Sequence, residues 1–63
     1  MRPIKTKEVE SMLKEKGFKF DRQNGSHMTY KDSTGKTVTI VNSREQSAGV
    51  LRQLKNMIGL NFR

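Results

Sequence analysis

The chain has 63 residues and a mass of 7.3 kDa, which predicts one small domain over residues 1–63, with a core too thin to enclose a catalytic cavity. Thirteen Lys and Arg against six Asp and Glu give a net charge of +7 and a pI near 10.3, a balance that favours nucleic acid, an acidic protein or anionic lipid as partner. With no cysteine, one histidine and only short apolar runs, the sequence excludes a disulfide framework, a cysteine nucleophile, a thiolate zinc site and a histidine metal cage, and a cytoplasmic protein is expected.

A first helix is predicted from Thr6 to Lys16. Thr6 is its expected N-cap, Glu8 and Glu10 suit its positive end, and Lys14 and Lys16 suit its negative end. Val9, Met12 and Leu13 form an apolar stripe that Ile4 extends, and Gly17 is the expected left-handed stop.

The period then changes from 3.6 to 2. Phe18 and Phe20, Met28 and Tyr30, and Val38 and Ile40 alternate with polar residues, which predicts three short strands. A two-residue Asn24-Gly25 turn would place the phenylalanines and Tyr30 on opposite faces. A three-residue Gln23-Asn24-Gly25 loop instead pairs Phe20 with Met28 and Phe18 with Tyr30. In the second hairpin a Ser33-Thr34-Gly35 loop pairs Tyr30 with Val38 and Met28 with Ile40.

A second helix is predicted from Ser47 to Ile58, with Val50, Leu51, Leu54, Met57 and Ile58 apolar and Gly59 ending it. Ser43 with Gln46, or Ser47 alone, caps its start. The expected fold is α+β: a two-layer α-β-β-β-α arrangement, with two helices on one face of a three-stranded antiparallel sheet.

The same parity assigns Lys19, Asp21, His27, Thr29, Lys31, Thr37, Thr39 and Val41 to the open face. His27 is expected opposite Asp21, which would favour the protonated ring and orient it, with Lys19 and Lys31 within reach. Such a group suits RNA cleavage by internal transesterification. A base takes the 2′-OH proton, an acid protonates the leaving 5′ oxygen, and cations such as Lys19, Arg22 or Lys31 stabilise the phosphorane. No metal or other cofactor is required. On chemistry alone a lone histidine on a polar sheet face is more often a solvated surface residue, lysines there more often serve solubility, and Asp21 reads equally as a plain charge partner.

Gly17-Phe18, then Asp21-Arg22-Gln23-Asn24-Gly25-Ser26-His27, Tyr30-Lys31 and Gly35-Lys36 lie in order along the chain. With Gly49-Val50-Leu51-Arg52-Gln53-Leu54-Lys55 and Gly59-Leu60, they make almost the whole sequence resemble the HicA toxin family. The resemblance implies a fold like that of double-stranded-RNA-binding domains, cleavage of messenger RNA, and a HicB-like antitoxin that masks the active surface. It also implies that His27, in the Gly-Ser-His motif, is the catalytic residue. Asp21 is the expected orienting residue, and Lys19, Arg22, Ser26 and Lys31 the expected RNA-binding residues. The chain departs from the family where members often carry Pro-x-His; here Val41-Asn42-Ser43 follows the third strand, so no second histidine is supplied. Val50 likewise stands where the helix motif often has Thr. The alternative function is a non-catalytic RNA-binding module of the same fold, and a third is an adaptor for an acidic protein.

Overall fold

The computed structural model describes residues 2–61. In chain order the elements are β1 (Ile4–Lys5), α1 (Thr6–Glu15), β2 (Lys19–Asn24), β3 (His27–Lys31), β4 (Thr37–Val41), β5 (Glu45–Gln46) and α2 (Ala48–Ile58). Strands β2, β3 and β4 form the antiparallel sheet in that order, with β3 central. The expected two-helix, three-stranded α+β arrangement is what the chain adopts.

The core lies between the helices and one sheet face. Val9 and Leu13 from α1, and Leu51 and Leu54 from α2, bury against Met28, Tyr30, Val38 and Ile40, with Phe18, Ile4 and Leu60 closing the ends. Leu60 lies beyond α2, where helical periodicity gives no signal. Among the described residues no helix is long and apolar enough to cross a membrane.

α1 ends as its sequence predicts. Gly17 sits at φ +93°, its N–H donates to the Lys14 carbonyl at 3.0 Å, and that of Phe18 donates to Leu13 at 2.9 Å. This is the Schellman pattern, in which the residue after the left-handed glycine turns into the core. The start differs from expectation. Lys5 is the N-cap residue, with no side-chain cap bond, and Thr6 is the first helical residue and buried. Thr6 instead donates its N–H to Arg44 O and its hydroxyl to Ser43 O.

A small two-stranded sheet, β1 with β5, was not foreseen: Ile4 pairs with Gln46 and Lys5 with Glu45. Two-residue strands carry almost no periodic signal. Gln46 is 1% exposed and its amide is fully engaged. Oε1 accepts from Val41 N at 3.0 Å, and Nε2 donates to Val41 O at 2.6 Å and to Thr6 Oγ1 at 2.7 Å. The amide thereby stands in for a further strand beside β4. Ser47, not Ser43 with Gln46, caps α2, its Oγ accepting from Val50 N at 3.4 Å.

The β3–β4 register is the expected one, Met28 opposite Ile40 and Tyr30 opposite Val38. Asp32 organises the connecting loop by accepting from Thr34 N, Thr34 Oγ1 and Lys36 N. The Thr34 hydroxyl bond, more than the others, holds the Asp32 carboxyl below its usual range. Lys36 Nζ then ties the loop to the end of α2, donating to Met57 O at 2.8 Å.

The β2–β3 register differs from expectation. The turn is the two-residue Gly25-Ser26, between Asn24 and His27, and Phe20 faces Tyr30 rather than Met28. Glycine first, at φ +63°, is what a type II′ hairpin requires. Parity is restored by a bulge at Asp21, between the Phe20–Tyr30 and Arg22–Thr29 pairs. Phe20 therefore keeps to the side of Tyr30, whose ring it meets edge-on at 5.8 Å. At the sheet edge, however, it is 53% exposed instead of buried, and Met57 of α2 is likewise 48% exposed.

Candidate functional site

The open face is built by alternation. From β3 it receives His27, Thr29 and Lys31; from β4, Val41, Thr39 and Thr37; and from β2, Asn24, Arg22 and Lys19, each opposite its β3 partner. The tight Gly25-Ser26 turn makes His27 the first residue of β3. Its ring is exposed and lies on the side away from the helices. Pairing with both neighbours fixes the backbone beneath it: Asn24 on one side and Val41 on the other, with Asn42 N donating to Ser26 O just beyond.

The bulge redistributes the charged residues around His27. Asp21 was expected opposite the ring, but Asn24 occupies that place, and Asp21 lies three residues back along β2. The orienting contact expected of Asp21 is therefore not one this register makes. Asn24 carries a neutral amide that both donates and accepts, and the parity of an unbulged strand could not have pointed to it. Arg22, opposite Thr29, is diagonal to His27, about 7–8 Å away between backbones and within reach of a long side chain. Ser26 immediately precedes the histidine in the turn.

Lys19 and Lys31 do not flank His27. They face each other at the opposite end of the pairing, four residues along β3, or about 13 Å of strand. Two ammonium groups directly opposite one another repel, and an anion between them relieves that repulsion. They line a shallow pocket of about 270 Å³ with Asp21, Phe20, Gly17, Asp32 and Ser33. The site residues expected from sequence thus fall into two groups along the sheet: His27, Ser26 and Arg22 at the turn, and Lys19, Lys31 and Asp21 at the far end. Among the described residues no three His, Cys, Asp or Glu side chains gather as metal ligands.

Chemically, the turn group combines an imidazole, a neutral amide and a guanidinium, and the far group adds two further cations along the same strand direction. A small basic α+β protein with an imidazole on its uncovered sheet face is the class that this geometry defines. A family model described as the HicA toxin of bacterial toxin-antitoxin matches residues 6–60, and the chain belongs to that family. The family is one of toxins, so the kind of partner it implies is an antitoxin. Neither the curated proteins nor the solved structures give a match to this chain.

Proposed function

We propose that the chain is the toxin of a type II toxin–antitoxin pair and an endoribonuclease that cleaves messenger RNA in the cytoplasm, with residues 1–63 as the working HicA-like domain. The observation that carries this reading is the position of His27, exposed on the open face beside Arg22. RNA lies across that face. His27 transfers a proton at the scissile linkage, either from the 2′-OH or to the 5′ oxygen, and solvent serves the other transfer. Arg22 stabilises the phosphorane, Ser26 contacts the backbone beside it, and Lys19 and Lys31 hold a phosphate further along. These steps need no metal. A HicB-like antitoxin inhibits by covering the face.

The test is growth after induction in a bacterial host. The wild-type chain is expected to arrest growth, co-expression of the antitoxin to restore it, and His27→Ala to be harmless at equal protein level. An arrest undiminished in His27→Ala would remove the histidine from the mechanism. Wild-type protein that retains RNA without cutting it would make this a binding module.

A further inference from the structure

A surface groove lies away from the open face. It has a volume of about 610 Å³ and runs between the start of α1 and the segment after β4, lined by Lys5, Thr6, Lys7, Glu10, Met28, Asn42, Ser43 and Arg44. Its size falls within the roughly 300–1,000 Å³ usual for small-ligand sites. Three of the lining side chains are cationic, against the single carboxylate of Glu10, and that carboxylate already accepts a hydrogen bond from the Tyr30 hydroxyl. Met28 supplies an apolar patch of floor, and Asn42 and Ser43 a polar lip.

The groove is tied to the candidate site through the backbone. Met28 follows His27 and points to the other side of the sheet, so the floor of the groove and the imidazole are back to back at one end of β3. Asn42, on the lip, donates its N–H to the carbonyl of Ser26 at 2.6 Å, which fixes the lip against the turn that carries His27. The Thr6–Gln46–Val41 bonds hold the start of α1 and the end of β4 together, and so fix the walls of the groove. Lys5, Lys7 and Arg44 share this groove with Met28, the residue that follows His27.

The geometry points to this groove as a second subsite for single-stranded RNA, holding a nucleotide that flanks the scissile linkage, with Lys5, Lys7 and Arg44 on its phosphates and Met28 against its base. It rests on the nuclease reading above and extends the substrate path beyond the open face. A single strand suits the path better than a duplex, because the backbone must bend around the end of the sheet and a base must leave its stack to reach the floor.

The test separates binding from cleavage. In a His27→Ala background, the affinity for a fluorescein-labelled ten-nucleotide single-stranded RNA is followed by anisotropy across a salt series. The Lys5→Ala/Lys7→Ala/Arg44→Ala variant is compared with Lys14→Ala/Lys16→Ala/Lys55→Ala, which removes the same charge away from the groove. Circular dichroism checks that both variants are folded. The groove variant is expected to bind about tenfold or more weakly, with the slope of log K against log salt shallower by about 2, since each single-strand phosphate contact contributes roughly 0.7. The control variant is expected to lose far less. Equal losses in the two variants would overturn the subsite, as would a groove variant that keeps its RNA affinity and loses only its antitoxin. Cleavage of the same RNA by the chain with His27 intact is scored separately: no cleavage there sinks the nuclease reading, whatever the groove variants do.

Discussion

His27 stands in the open because it is the first residue of a central strand whose next residue, Met28, belongs to the core. Its neighbours on the face are decided by one inserted residue, Asp21. The bulge lets Phe20 remain beside Tyr30 while Arg22 and Asn24 join the imidazole's side. Tyr30 shows the opposite extreme of environment. It is 2% exposed and donates its hydroxyl to Glu10, and its pKa is pushed far above 10, first by burial and then by the carboxylate's hydrogen bond and charge. The folded state therefore holds this proton more tightly than the unfolded chain. That contribution to stability is complete below about pH 10, the unfolded value, and is lost as pH rises beyond it. In urea unfolding followed at increasing pH, the wild-type chain is expected to lose stability above pH 10, and Tyr30→Phe is expected to lack the part of that slope due to this group.

Among the elements, the two helices and the second hairpin were legible because each carries redundant signals. In α1 an apolar stripe, acidic and basic ends and Gly17 agree; in the hairpin, the three-residue loop and the Tyr30–Val38 pairing support each other. The first hairpin was not legible in detail. Its sequence contains two glycine-compatible turns, and a demand for one consistent apolar face can be met by a three-residue loop or by a two-residue turn with a bulge. The chain takes the second, with Phe20 opposite Tyr30 and Asp21 as the extra residue. That choice exchanged Asp21 for Asn24 opposite His27 and moved Lys19 away, so the place of His27 on the open face was readable from sequence and its immediate company was not. The β1–β5 pair and the Gln46 amide were equally hidden, since a buried polar residue between Glu45 and Ser47 looks like loop. Removing that amide leaves Val41 N, Val41 O and Thr6 Oγ1 without a bond each now makes. At about 1–3 kcal/mol for a buried polar group left unpaired, Gln46→Ala is expected to cost about 2–4 kcal/mol in urea unfolding. A change within the range of surface substitutions, under about 0.5 kcal/mol, would mean that the amide does not lock β4 to the N-terminal segment.

For the molecule as a whole, a charge of +7 and a thin two-layer core leave the outer sheet face as a broad uncovered surface, and the chain's family is one of toxins paired with an antitoxin. The proposed role of His27 is proton transfer as a ribose hydroxyl attacks the neighbouring phosphate. It is tested most directly by incubating an end-labelled RNA, and the DNA of the same sequence, with purified wild-type and His27→Ala chains in excess chelator. The RNA is expected to be cut by the wild-type chain and the DNA left intact, with His27→Ala slower on the RNA by about 100- to 10,000-fold, the usual range for loss of a general acid or base. Cutting of the DNA at a comparable rate, or RNA cleavage that persists undiminished without the imidazole, would contradict it.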